Sequence, residues 1–176
     1  LPTQLTTIES NAFRNAAGLT SMVVPDSVTA IYDGAFRGCD SLVSITLPFV
    51  GQTMNDGNRY SKFGHIFGYS GSYSEGAGLT KQYYNTGSGD YYCYYIPASL
   101  RSVTVTLQTT LPQGAFSGCS FLTSVTLPDT MTYIGQCAFY QCSGLNSLNS
   151  AIAGTAIIPD TVTEINSSLN FNYLEE

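Results

Sequence analysis

The chain has 176 residues, 43% hydrophobic and only 10% charged, with a net charge of -6. Such a composition is too aromatic and too poor in charge for a disordered chain. Its six basic residues (Arg14, Arg37, Arg59, Lys62, Lys81, Arg101) are too scattered to neutralise phosphates, which argues against nucleic acid and anionic membrane as partners. No apolar run reaches the roughly 20 residues of a membrane span, so no membrane insertion is expected. No signal peptide opens the chain, so any targeting segment is expected to have been removed or to lie outside this stretch.

The first elements are two gap-free repeats, "LTTIESNAFRNAAGLTSMVVPDSV" from Leu5 and "VTAIYDGAFRGCDSLVSITLPFV" from Val28, with Phe13 and Phe36 23 residues apart. In both, Ala precedes the Phe and an apolar residue stands five before it (Ile8, Ile31). Ala16 or Cys39 stands three after it, and Leu19 or Leu42 six after it. A unit this short cannot bury its own apolar face, so it must stack on its neighbours as a solenoid. "SLVSITLP" alternates apolar and polar residues as a half-buried strand does, and equivalent strands would pair in parallel. Pro48 ends the strand by removing a backbone donor.

The repeat then breaks. Phe67 in "KFGHIFGYS" follows Phe36 by 31 residues, and Phe116 follows Phe67 by 49, which predicts one interrupted coil over about 51–106. Asp56-Gly57 is a hairpin-turn signal. "KQYYNTGSGDYYCYYIP" reads as a second hairpin with a Gly-rich turn. Strand alternation puts Tyr92 and Tyr94 on one face and Tyr91, Cys93 and Tyr95 on the other. Nine of the thirteen tyrosines fall between Tyr60 and Tyr95. Tyrosine gives a large amphipathic contact for the loss of two torsions. The candidate ligand-binding residues are therefore Tyr69, Tyr73, Tyr83, Tyr84, Tyr91, Tyr92, Tyr94 and Tyr95, unless the insert only covers a satellite core. The strand resumes at "SLRSVTVT", where Leu100, Val103 and Val105 match Leu42, Ile45 and Leu47.

Two further regular units follow over about 107–148, carrying Leu111, Phe116, Cys119 and Leu122, then Ile134, Phe139, Cys142 and Leu145. Phe116 and Phe139 are again 23 residues apart. After "NSAIAGTAII", the run "PDTVTEINSSL" restarts a unit, so 149–176 reads as a partial terminal repeat. The whole chain, 1–176, is expected to be one repeat domain and a fragment of a longer protein. The predicted core is Phe13, Phe36, Phe67, Phe116 and Phe139 with Leu19, Leu42, Leu100, Leu122 and Leu145.

Chemistry-bearing residues are sparse. His65 is the single histidine, and no thiol-protease signature surrounds any of the five cysteines. Cys39, Cys119 and Cys142 read as buried small hydrophobes stacked coil above coil. A Cys119–Cys142 bridge is conceivable but not required. Cys93 is the likeliest exposed thiol, and Cys137 falls at a position read as variable. Cys137 and Cys142 are five apart with no second pair and no neighbouring His, so no metal is expected. Asp26, Asp129 and Asp160 share one turn position. Asn166-Ser167-Ser168 matches a glycosylation acceptor. No catalytic residue and no cofactor is predicted.

The pattern "IxxxAFxxCxxLxxVxLP" is carried by Ile31, Ala35, Phe36, Cys39, Leu42, Leu47 and Pro48, with Ile45 in the Val place. It resembles the BspA-type leucine-rich repeat, also called the Treponema pallidum type. The resemblance is close over 5–50 and 100–148 and weak at 63–70 and 159–169. It implies a β-rich leucine-rich-repeat solenoid, a right-handed stack of about five to six coils with a parallel sheet and a Tyr-rich hairpin insert. It also implies a non-enzymatic protein-binding or adhesion module of a bacterial cell-surface or secreted protein. Its partner would be a protein, such as a host or matrix protein, or a glycan. The alternatives are a structural spacer array and a carbohydrate-binding module that uses the insert.

Overall fold

The structure, a computed structural model, describes residues 1–54, 61–68, 79–85, 91–149 and 155–165, with 84–85, 91–92, 155–156 and 165 described by backbone alone. Asp56-Gly57, Tyr69, Tyr73 and Asn166-Ser167-Ser168 lie outside the described residues, as do the side chains of Tyr84, Tyr91 and Tyr92.

In chain order the strands are β1 (Thr7–Ile8), β2 (Ser21–Val23), β3 (Ala30–Ile31), β4 (Ser44–Leu47), β5 (Leu79–Asn85), β6 (Tyr91–Pro97), β7 (Ser102–Val105), β8 (Thr110–Leu111), β9 (Ser124–Thr126), β10 (Tyr133–Ile134), β11 (Ser147–Leu148), β12 (Thr155–Ala156) and β13 (Glu164–Ile165). A single 3₁₀ helix, Phe63–Phe67, is the helical element among the described residues. Six strands form one parallel sheet in the order β2-β4-β7-β9-β11-β12. Its register aligns Ser21, Ser44, Ser102, Ser124 and Ser147 in one row and Met22, Ile45, Val103, Val125 and Leu148 in the next. The period-two alternation therefore survives into three dimensions. Ile45, Val103, Val125 and Leu148 are buried, while Thr46 and Thr104 are half-buried and Thr126 is exposed.

A second, narrower ladder carries the start of each coil. It is broken into β1-β3 and β8-β10-β13, with the interrupted coil between β3 and β8. In the wide sheet, by contrast, β4 pairs directly with β7 although Ser44 and Ser102 are 58 residues apart. The described residues between them therefore belong to one turn of the solenoid. The chain is thus a β-solenoid in which the coil between β4 and β7 is oversized.

Phenylalanines fill the far side of the coils. Phe13 stacks on Phe36 at 5.2 Å and 6°, and Phe116 on Phe139 at 5.5 Å and 7°. Each fully buried ring contributes on the order of 1.5–3 kcal/mol of apolar transfer. Phe13 and Leu19 are only partly buried, unlike the other predicted core residues placed here. They sit in the first coil, which is packed from one side by the coil of β3 and β4.

Each regular coil turns through two left-handed residues, two before and two after its Phe. They are Asn11 and Asn15, Gly34 and Gly38, Gly114 and Gly118, and Cys137 and Gln141, all with φ between 56° and 79°. The position of Cys137 is therefore not variable. It demands positive φ, which Gly and Asn meet at little cost and a cysteine meets with strain.

The cysteines behave as packing residues. Cys39, Cys119 and Cys142 are buried, and no disulfide joins any of the five cysteines, Cys119 and Cys142 included. Cys39 Sγ donates to the Phe13 carbonyl at 3.2 Å, and Cys142 Sγ to the Phe116 carbonyl at 3.0 Å. Burial raises all three thiol pKa values, that of Cys142 to about 12. Cys93 is half-exposed, and so is Cys137.

Candidate functional site

The oversized coil carries the features that set this chain apart from a plain repeat. In regular coils the segment around each Phe bonds backbone to backbone with the next coil, as in Phe13 N to Ala35 O at 2.7 Å and Phe116 N to Ala138 O at 2.8 Å. The 3₁₀ segment bridges the gap between the coils of Phe36 and Phe116. Gly34 N and Phe36 N donate to the carbonyls of His65 and Ile66, while Phe63 N donates to the Ala115 carbonyl. Two rings are needed where a regular coil uses one. Phe67 meets Phe36 at 6.5 Å, Phe63 meets Phe116 at 5.1 Å, and the two meet each other at 5.4 Å. Phe63 was not among the predicted core residues.

Side chains supply the remaining bonds. Gln82 is 0% exposed. Its Oε1 accepts from Gly64 N at 2.6 Å, and its Nε2 donates to the carbonyls of Ala115 at 2.9 Å and Ser117 at 3.0 Å. It clasps the hairpin to both the 3₁₀ segment and the next coil. Gln108, also buried, accepts from Val50 N at 3.0 Å and donates to the Met54 carbonyl at 3.2 Å. The Lys62 ammonium, 7% exposed, donates to the Gln113 carbonyl. Burial pulls its pKa down to about 8, and the neighbouring Cys137 works weakly against that shift. His65 is 1% exposed, with its Nδ1 3.9 Å from an Asp33 carboxylate oxygen and its ring edge-on to Tyr94 at 6.1 Å.

Strands β5 and β6 form the antiparallel hairpin expected from the sequence, with Gln82 opposite Tyr94, Lys81 opposite Tyr95 and Tyr83 opposite Cys93. Its two faces differ. Thr80, Gln82, Tyr94 and Ile96 point into the protein and are buried. Tyr94, 2% exposed, is thus a core residue and leaves the set of ligand-binding candidates; its parity matches Ile96, which enters the solenoid core. Lys81, Tyr83, Cys93 and Tyr95 lie on the outer face. Tyr83 is 57% exposed, and the Lys81 ammonium sits 5.9 Å from the centre of the Tyr95 ring.

The outer face does not end at the hairpin. Leu79 and Tyr95 of the hairpin line an open cleft together with Arg37, Gly38 and Asp40 of the second coil. Phe67 and Gly68 complete the lining from the 3₁₀ segment. Gly68, at φ 95°, is required there: a Cβ would come within 3.2 Å of the Gly34 Cα and 3.4 Å of the Arg37 Cδ. Sequence reasoning had no hold on Arg37 or Asp40, which lie in a regular repeat and meet Tyr95 only through the fold. Among the described residues, no three of His, Cys, Asp or Glu gather to hold a metal ion.

Comparison with known proteins follows the repeat. The family model described as BspA type Leucine rich repeat region matches residues 1–59 and 88–174 in six copies. No curated protein matches the chain. A leucine-rich cell surface protein from Faecalibacterium prausnitzii A2-165 is similar in structure at 19% identity and a TM-score of 0.34, with 92% of this chain and 59% of that one covered. A leucine-rich repeat protein from Bacteroides ovatus ATCC 8483 is similar at 20% identity and a TM-score of 0.29, with 92% and 49% covered. The chain thus spans about half to three fifths of the length of these solved structures.

Proposed function

The chain belongs to the BspA-type leucine-rich repeat family, and from that premise we propose that it is a non-catalytic adhesion module of a bacterial cell-surface or secreted protein. It takes its ligand on the outer face of the hairpin. The observation that carries this reading is the split of the hairpin: one face is spent on the core, while the other offers Tyr83, Tyr95 and Lys81. Among the described residues, the outward rows of the wide sheet are serine and threonine with one exposed Val23. Small hydroxyl side chains provide few anchors, whereas rigid aromatics dominate binding energy at recognition surfaces. The buried histidine and the desolvated thiols are poorly placed for nucleophilic chemistry.

The test compares the native chain with a Tyr83→Ser/Cys93→Ser/Tyr95→Ser variant on immobilised matrix proteins and glycans. Replacing only outward side chains keeps Gln82 and Tyr94 in place, which deletion of the insert would not. At least a tenfold loss of binding by the folded variant is expected, with no loss from Ser44→Ala or Thr104→Ala on the wide sheet. Equal binding by native chain and triple variant would refute the reading and favour a spacer.

A further inference from the structure

Resting on that reading of the hairpin face, we infer that the cleft between Tyr95 and the Arg37–Asp40 turn receives one pyranose ring of a neutral polysaccharide. Three features of the lining converge on that ligand. Tyr95, on the outer hairpin face, and Leu79 beside it give an apolar wall for the C–H face of a sugar. Lining the same cleft are a guanidinium and a carboxylate, Arg37 and Asp40, three residues apart on one turn. A sugar hydroxyl both donates and accepts, so adjacent hydroxyls can give a proton to Asp40 and take one from Arg37. The glycine backbones at Gly38 and Gly68 keep the space between the walls free of side chains.

Other occupants fit this lining less well. An apolar side chain of a partner protein would satisfy Tyr95 and Leu79 but strip water from the exposed Asp40 carboxylate without replacing it. An acidic sugar would gain from Arg37 and Lys81 but meet the exposed Asp40 carboxylate. A neutral ring is the occupant that uses every wall.

The experiment is affinity electrophoresis of the whole chain through gels containing neutral glucan, mannan or galactan, with polygalacturonate as the acidic comparison. Retardation by at least one neutral gel is expected. It should weaken about tenfold in Tyr95→Ala and in Asp40→Asn, and stay within about twofold of native in Thr104→Ala on the wide sheet. Asp40 is exposed and its change nearly isosteric, so Asp40→Asn tests the site even where Tyr95→Ala perturbs the hairpin. Retardation unchanged in both cleft variants would overturn the inference, as would retardation by polygalacturonate alone. No retardation in any gel would overturn it too. In that case the hairpin face still stands as a binding surface provided the triple variant loses binding to a protein-coated support.

Discussion

The regular coils and the oversized coil solve the same problem with different materials. A regular coil is held by its own backbone: each carries one phenylalanine, its ring lying parallel to the next at 6–7°, and its amides reach the neighbouring carbonyls directly. The oversized coil adds side-chain clasps to its backbone bonds. Gln82, Gln108 and Lys62 reach the backbone groups that a regular neighbour would have met, and two tilted rings replace one stacked ring. Backbone pairing tolerates nearly any outward sequence, whereas side-chain clasps make particular residues indispensable. The lesson is that the repeat consensus describes the part of the molecule that is interchangeable, and the break in it describes the part that is individual.

Breaking the ring stack should give the largest effect. Phe116 lies between Phe63 and Phe139, and Phe116→Ala is expected to cost about 3–5 kcal/mol in urea denaturation. Phe13→Ala, at a half-buried ring with one stacked partner, should cost about half as much. Next come the glutamines. Gln108→Ala leaves a buried amide and a half-buried carbonyl without their partner and should cost about 2–3 kcal/mol. Gln113→Ala, on the exposed side of a regular coil, should stay within about 0.5 kcal/mol.

The buried lysine predicts an uncommon pH profile. Its folded pKa, about 8, lies below its ordinary value of 10.5. Below pH 8 both states hold the proton and Lys62 adds no slope. Above it the unfolded chain binds more protons, so stability rises by up to about 1 kcal/mol per pH unit. The thiols act in the opposite sense. Cys142 keeps its proton to about pH 12 when folded and releases it near 9.0 when unfolded, so stability falls above pH 9, with Cys119 and Cys39 adding to the loss. Urea midpoints measured from pH 7 to 10.5 should therefore peak near pH 9, and Lys62→Met should abolish the rise while keeping the fall. A midpoint falling steadily from pH 7 in the native chain would contradict the placement of Lys62.

The smallest effect is a gain. Cys137 occupies the left-handed position that Gly34 and Gly114 fill in their coils. Cys137→Gly should raise stability by about 0.5–1 kcal/mol, which thermal unfolding would register as a shift of roughly 1–4 °C.

The regular coils were legible in the sequence because their contacts repeat at a fixed spacing. The alignment of Leu42, Ile45 and Leu47 with Leu100, Val103 and Val105 follows from pattern alone, and the sheet pairs Ile45 with Val103 and Leu47 with Val105. The hairpin was legible from its turn and its alternation, though not which face would be buried. Parity with Ile96, two residues on from Tyr94 and leading into a core strand, was the signal that could have decided it. Gln82, Gln108 and Phe63 were not legible. Their partners lie tens of residues away, across coils whose stacking must be known first, as in the 33 residues from Gln82 to Ala115. Arg37 and Asp40 were hidden for the converse reason: they occupy outward positions of a regular repeat, and only the hairpin folded against them makes a cleft.

Native-state hydrogen exchange on Gln82→Leu tests the central claim most directly, that one buried amide clasps the hairpin while the regular coils hold themselves. The account predicts that the β5 and β6 amides exchange at least a hundredfold faster than in the native chain, while β8, β9 and β10 keep their protection. Unchanged exchange in the hairpin, or an equal acceleration along every coil, would contradict it.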